Sequence, residues 1–239
     1  MLNLNLFHDR TQKIVDITRL KNSKTAIIGC GGIGSFAAEF LARSGVGHLV
    51  LIDFDAVELS NLTRQDFTIK DIKKPKVEAL KERILKVIPS VNLTVFNKKF
   101  NASNADELLK DVDIVLSAVD SFAAKKEINL VCKKKGRCFV HASAFKQNGE
   151  ILFVTRNSAC VECLYPDIDD SPENPETVGV IPMVPTIVGL IASNMMLNYL
   201  SNRKTYENTL YRFDFKSMNF YKLKINPRKN CKVCSILQQ

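Results

Sequence analysis

The 239-residue chain is 46% hydrophobic and 25% charged, which excludes a disordered or collagen-like polypeptide and allows one substantial core without demanding a second domain. Its formal charge of +9 is spread over Lys73-Lys74, Lys98-Lys99, Lys125-Lys126, Lys133-Lys134-Lys135 and the tail from Lys222 to Lys232, always broken by apolar pattern. No aromatic-and-basic ladder or zinc-finger helix accompanies these lysines, so no nucleic-acid partner is expected; the charge suits an anionic nucleotide or an acidic protein.

Residues 1–23 carry Leu4, Leu6, Phe7, Ile14, Val15, Ile17 and Leu20 at mostly helical spacing and predict an N-terminal helical arm. With Asp9 and no long apolar run, this segment is not expected to be a secretory leader. A short buried strand is expected over 25–28. It runs into Gly29, Gly31, Gly32 and Gly34, and then into Phe36, Ala37, Phe40 and Leu41 at helical period. Strand, glycine turn and helix N-terminus form a phosphate cradle: the glycines permit close backbone approach, and the free amides of the first helical turn face an anion. A second strand over 49–52 ends in Asp53, about 20 residues past the glycines, where a ribose-binding acid is expected.

The polar stretch 58–76, with Asn61, Arg64, Gln65 and Asp66 crowded together, predicts a loop with short helical turns. An amphipathic helix follows over 77–88, stopped by Pro89, then a third strand over 92–96 and a short helix over 105–109. A largely apolar strand is expected over 114–119, ending in Asp120, and a helix over 122–134. Strands over 138–142 and 149–155 would pair as a hairpin near the sheet edge.

Asp167, Asp169, Asp170, Pro172 and Pro175 make 160–185 a loop. The uncharged stretch after it predicts a buried core helix over 186–200, too short for the roughly 20 residues that a bilayer requires, so no membrane association is expected. Strands over 210–214 and 219–223 precede a cysteine-rich tail. The pattern predicts an α/β, Rossmann-like nucleotide-binding fold whose sheet is parallel in its N-terminal part and antiparallel in its C-terminal strands. One domain, 1–239, would consist of the arm (1–23), a nucleotide-binding half (24–135) and a partner-binding, zinc-containing half (136–239).

Of the seven cysteines, Cys160 with Cys163 and Cys231 with Cys234 form two Cys-x-x-Cys pairs. These read as a closed, structural four-cysteine zinc site rather than a disulfide framework, and they place the chain in a reducing compartment, the cytoplasm. Cys30, inside the glycine turn, reads as a packing residue, as does His141, while Cys132 belongs to a helix and Cys138 to a strand. Two cations near the glycine cradle, Arg64 and Lys76, could stabilise charge at a nucleotide's α-phosphorus. Asp120, at the carboxyl end of a parallel strand, suits Mg²⁺, which prefers carboxylate and phosphate oxygens. Hydride transfer needs neither feature, which disfavours a nicotinamide dehydrogenase.

The stretches Gly29-Cys-Gly-Gly-Ile-Gly34, Leu51-Ile-Asp-Phe-Asp55, Leu59-Ser-Asn-Leu-Thr-Arg-Gln65 and Lys74-Pro-Lys76, with Pro89, Asp120 and the two Cys-x-x-Cys pairs, extend over almost the whole sequence. Together they resemble the ThiF/MoeB/HesA family of ubiquitin-activating-like adenylating enzymes. The resemblance implies that ATP and Mg²⁺ are used to adenylate the C-terminal carboxylate of a small ubiquitin-like sulfur-carrier protein, releasing pyrophosphate. It assigns the ribose to Asp53, the phosphates to Asn61, Arg64, Gln65 and Lys76, and magnesium to Asp120. It also implies a homodimer in which Arg10 reaches the partner's site, although the family's Arg-Tyr-x-Arg-Gln appears here as Phe7-His8-Asp9-Arg10-Thr11.

The family's Thr-Asp-Asn and following Arg appear here as Val119-Asp120-Ser121 and Lys125, where Ser121 keeps a hydrogen-bonding group at the nucleotide. Conjugating relatives carry a cysteine in the crossover loop, here about residues 164–185, which contains none; that implies an adenylate-only enzyme. Two alternatives stand beside this reading: the same chemistry on a short peptide with a free C-terminus, and a nucleotide-binding module without catalysis.

Overall fold

The computed structural model describes residues 7–166 and 179–235. A single eight-stranded sheet runs through both halves of the chain, in the order β3-β2-β1-β4-β5-β6-β7-β8. Its strands are β1 (Lys24–Ile28), β2 (His48–Ile52), β3 (Asn92–Phe96), β4 (Ile114–Ser117), β5 (Phe139–Phe145), β6 (Asn148–Val154), β7 (Thr209–Asp214) and β8 (Asn219–Lys224). The first five are mutually parallel, and β6, β7 and β8 add antiparallel hairpins. The strand order reverses between β1 and β4. That is the point where an open α/β sheet leaves a crevice beyond its carboxyl ends.

The helices are α1 (Ile17–Lys21), α2 (Gly34–Arg43), α3 (Lys76–Val87), α4 (Ala105–Leu108), α5 (Phe122–Lys134), α6 (Val161–Leu164) and α7 (Met183–Asn202). Side chains alternate across the parallel strands, so each strand feeds two cores. Ile27, Leu49, Leu51, Leu116 and Val140 face α2, α3 and α7. Ala26, Ile28, Val50, Val115 and Phe139 face α4, α5 and the cysteine cluster. Each fully buried Leu, Ile or Val in these layers contributes about 1.5–3 kcal/mol.

Several sequence expectations need correction. The hairpin β5–β6 lies inside the sheet, because β7 and β8 pair onto β6 and make the edge themselves. The strand expected over 114–119 ends at Ser117, so Asp120 sits three residues beyond it on the connection to α5. The arm is not one helix over the described residues. It is a 3-10 turn (Thr11–Lys13) and the five-residue α1, capped by Asp16, whose carboxylate accepts from the Thr18 and Arg19 amides. Leu4 and Leu6 lie outside the described residues, as do Asp167, Asp169, Asp170, Pro172 and Pro175.

The expected loop over 160–185 contains α6 and gives way to α7 at Met183 rather than at 186. Pro182 occupies the N-cap and Pro185 falls in the first turn, where a missing N–H costs nothing. At 20 residues α7 is long and apolar enough, by length and composition, to cross a membrane, contrary to the expected shortness. It packs on α2, β5 and β6. Gly189 makes that packing possible: a Cβ there would sit 2.5 Å from the Ile33 carbonyl oxygen.

Candidate active site and metal centre

The carboxyl ends of β1, β2 and β4 converge on a cleft of about 420 Å³ at the switch point. It is lined by Gly29, Gly31, Gly32, Asp53, Asn61, Arg64, Gln65, Lys76, Asp120 and Ser121, so ten of the residues singled out in the sequence meet there. Gly34 does not line it but closes the turn behind it. A Cβ at Gly34 would lie 1.8 Å from the Gly29 carbonyl oxygen. Gly29 takes φ +92°, and any side chain there would also strike the Ala118 backbone. The N-terminus of α2 therefore faces the cleft at close range, with its positive dipole end toward an anion.

Asp53 is 8% exposed and is anchored by two backbone amides: Cys30 donates to Oδ2 at 2.6 Å and Asp55 to Oδ1 at 2.9 Å. Burial raises its pKa above the usual carboxylate value, and the Lys76 ammonium pulls it back. Lys76 itself is 7% exposed, and its Nζ donates to Asp55 Oδ2 at 2.7 Å. The Arg64 guanidinium donates to the Ser60 carbonyl at 2.9 Å. Asn61 closes a capping box with Glu58, fixing the 3-10 turn (Leu59–Thr63) that delivers Arg64 and Gln65 to the cleft. The buried Gln65 side-chain oxygen has no hydrogen-bond partner among the described residues, an acceptor left for a ligand to satisfy.

Asp120 does not cap α5. Ser121 does, accepting from the Ala124 amide at 3.3 Å while its own amide donates to Asp120 Oδ1 at 2.8 Å. The Asp120 carboxylate is thereby held at the mouth of the cleft with its second oxygen outside that bond. Lys125 is buried, donates to Ser143 Oγ at 3.1 Å and lies 4.7 Å from the Phe122 ring centroid. His141 is buried within the sheet, with Glu150 Oε1 at 3.8 Å, and burial lowers its pKa so that it stays neutral. Arg10 is exposed and does not line the cleft.

Among the lining residues to which the sequence assigned no specific role are Phe54, Lys98, Lys99 and Phe100. Lys98 pairs with Glu107 at 3.1 Å, and the Lys99 ammonium stands 5.9 Å from the Phe54 centroid. The available signal was the position of the lysine pair just past β3, close to the strand ends that carry Asp53 and Asp120.

Away from the cleft, Cys160, Cys163, Cys231 and Cys234 bring their sulfurs within 4.8 Å of one another. The separations are 3.8 Å for Cys160–Cys163, 3.7 Å for Cys160–Cys231 and Cys163–Cys234, and 3.5 Å for Cys160–Cys234. A tetrahedron of thiolates around zinc at about 2.3 Å has edges near 3.8 Å, so the donor set fits that ion. Three N–H groups point at the sulfurs: Arg228 N to Cys163 at 3.4 Å, Cys234 N to Cys231 at 3.4 Å, and Asn129 Nδ2 to Cys160 at 3.5 Å. Such donors suit sulfurs carrying negative charge. Lys133 is buried and braces the approach to Cys160 by donating to the Thr155 and Ser158 carbonyls at 3.0 and 2.9 Å.

Comparison with known proteins matches residues 2–234 to the model of the ThiF family. The chain belongs to the ThiF family. It is 34% identical over 229 residues to the sulfur carrier protein ThiS adenylyltransferase of Escherichia coli (strain K12), covering 95% of this chain and 89% of that one. It is 31% identical over 220 residues to the SAMP-activating enzyme E1 of Haloferax volcanii, covering 90% and 82%. The crystal structure of E. coli MccB superposes with a TM-score of 0.83 at 22% identity, over 97% of this chain and 73% of that one, which shows the shared fold. The chain is an adenylyltransferase of the ThiF type.

Proposed function

We propose that this ThiF-family chain transfers the adenylyl group of ATP to the C-terminal carboxylate of a small ubiquitin-like sulfur-carrier protein. The observation that carries the reading is the gathering of Asp53, Asn61, Arg64, Gln65, Lys76 and Asp120 around one glycine cradle. Asp53 would hold the ribose, and Asn61, Arg64, Gln65 and Lys76 the phosphates, with the α2 amides behind them. A carboxylate oxygen of the partner would attack the α-phosphorus, forming the acyl-adenylate as the bond to pyrophosphate breaks. Charge accumulates on the departing oxygens, where two preorganised cations stabilise it more than in the ground state. Asp120 would hold Mg²⁺, which supplies charge neutralisation when bound. Lys76 would exchange its contact with Asp55 for the triphosphate.

The four clustered cysteines would hold a structural zinc that ties α6 to the C-terminal tail, distant in role from the chemistry. The outer side of α7, where Met183, Ile187 and Leu190 are exposed or half-buried, would form a two-fold interface and bring Arg10 to the partner's cleft. The carrier reading is favoured over a short peptide by the identity to the ThiS adenylyltransferase along nearly the full length of both chains.

The test is incubation with Mg²⁺-ATP and candidate carriers ending in a free glycine, followed by intact-mass analysis of the carrier. A mass gain of one adenylyl group on the carrier supports the reading. Adenylation of a short peptide and of no carrier would move the substrate to the peptide class. No adduct on either, despite nucleotide binding, would leave a binding module.

A further inference from the structure

Behind the phosphate side of the cleft lies a quartet of charged side chains that the proposed chemistry does not use. Glu39 on α2 and Asp66, directly after Arg64 and Gln65, are 6% and 8% exposed. Both carboxyls lie against one nitrogen, since Arg83 Nε donates to Asp66 Oδ2 at 2.5 Å and to Glu39 Oε2 at 3.2 Å. Arg83 on α3 bridges the two, with Nη2 2.5 Å from Asp66 Oδ1 and Nε 3.2 Å from Glu39 Oε2. Arg43 on α2 holds the other Glu39 oxygen, with Nε at 2.6 Å and Nη2 at 2.5 Å. The Asp66 amide donates to Ser35 Oγ on the first turn of α2, at 3.2 Å. The quartet therefore ties three elements together immediately behind the loop that delivers Arg64 and Gln65. That loop already presses on the glycine turn, since a Cβ at Gly32 would lie 2.8 Å from the Arg64 carbonyl oxygen.

Two carboxyls held on one donor nitrogen are close enough to repel when both are ionised, which favours one proton on the pair. An ordinary ion-pair network would give each arginine its own acid; here both acids share one Arg83 nitrogen. We propose that Glu39 and Asp66 are positioning residues for nucleotide binding: sharing one proton, they hold the Arg64–Gln65 loop on the glycine turn. This inference rests on the reading of the cleft as the nucleotide site. Losing the shared proton turns an attraction into a repulsion and adds negative charge behind a loop that must grip a polyphosphate. Both consequences weaken nucleotide binding.

The charges facing the pair are Arg43 from α2 and Arg83 from α3. Burial, with the Glu39 carboxyl beside it, pushes Asp66 up to about 7, whereas Glu39, though burial pushes it up, is held below its usual range by hydrogen bonds from Asp66 and Arg43. The proton therefore resides on Asp66 below about pH 7 and leaves above it, so grip should fall as pH rises through neutrality.

The test is calorimetric titration of the full chain with Mg²⁺-ATP at about pH 6 and about pH 8, which brackets the Asp66 titration and needs no carrier. The nucleotide's own phosphate also titrates in this range, but identically for every variant, so differences between variants are read. Wild type should bind about as tightly as Asp66→Asn at the lower pH and at least about 5-fold more weakly at the higher one. Asp66→Asn and Glu39→Gln, which keep the side-chain shape without a titrating pair, should both lose that extra dependence. Asp66→Ala should bind weakly at both pH values. Where Asp66→Ala fails to fold, the comparison of wild type with the two isosteres carries the test alone.

A wild-type pH dependence retained in Asp66→Asn overturns the proposal, as does wild-type affinity in a folded Asp66→Ala. A merely structural role would lower the melting temperature of the variants and leave the pH profile of binding unchanged, which also overturns it. No binding of nucleotide by wild type at either pH would instead overturn the nucleotide reading of the cleft.

Discussion

Asp120 is the side chain on which the proposed chemistry depends most. It stands at the cleft mouth, its orientation fixed by the Ser121 amide, and removing one preorganised electrostatic contact commonly costs on the order of 10²-fold or more in rate. Asp120→Ala should therefore lose about 10²-fold or more of adenylation rate while its unfolding curve stays that of wild type. The cysteines outside the cluster should behave oppositely. Burial pushes the Cys30 thiol well above its usual range and Cys132 up to about 12, so neither is a thiolate near neutrality. Cys30→Ala and Cys132→Ala should each keep adenylation within a few-fold, measured as adenylated carrier per enzyme. A thioester to either one, seen on non-reducing gels, would contradict this.

At the same scale the sequence was readable where one side chain does one job next to a glycine or a strand end, as with Asp53 and Arg64. It was silent where residues distant in sequence meet. Glu39, Asp66 and Arg83 look like separate surface charges along the chain, and the Lys76–Asp55 pair becomes visible only when Pro75, ahead of α3, bridges to Ala56 past the end of β2.

Among elements, the cysteine cluster makes the firmest prediction. It joins α6, with Cys160 at its N-cap and Cys163 within it, to a tail beyond β8 that carries Cys231 and Cys234. Binding energy of a structural metal is folding energy. Cys231→Ala should lose the metal, and elemental analysis should find about one zinc per wild-type chain against none in the variant. Its thermal unfolding should become broad or shift far downward. Cooperative unfolding retained without metal would show that the cluster is incidental.

Secondary structure was legible wherever one periodicity dominated, as in the parallel strands and α5. The start of α7 was not, because Pro182 and Pro185 read as loop residues and yet fit an N-cap and a first turn. The hairpin β5–β6 looked like an edge because nothing local reveals that β7 will add to β6. Short helices such as α6 are set by the Cys-x-x-Cys turn rather than by any amphipathic period.

For the molecule as a whole, the switch point between β1 and β4 fixes where the cleft lies, and α7 closes the layer that holds α2 and α3. One side of α7 packs on α2 and the sheet; Met183, on the other side, is 59% exposed. An apolar helix with one uncovered side suits a symmetric pair. Sedimentation at micromolar concentration should give the mass of two chains, and Met183→Glu should shift the population toward one chain without lowering the monomer's melting temperature much. A single-chain mass for wild type, unchanged by ATP, would contradict the two-fold assembly and with it any role of Arg10 across the interface.

The central claim is adenylyl transfer from ATP to a carrier's terminal carboxylate, and carrier-dependent exchange of labelled pyrophosphate into ATP reports that step directly. Wild type should catalyse exchange only when Mg²⁺ and a carrier with an intact C-terminus are both present, and Arg64→Ala, Lys76→Ala and Asp120→Ala should each reduce it by about 10²-fold or more. Exchange that proceeds equally well without any carrier or peptide, or that survives in Asp120→Ala, would contradict the account.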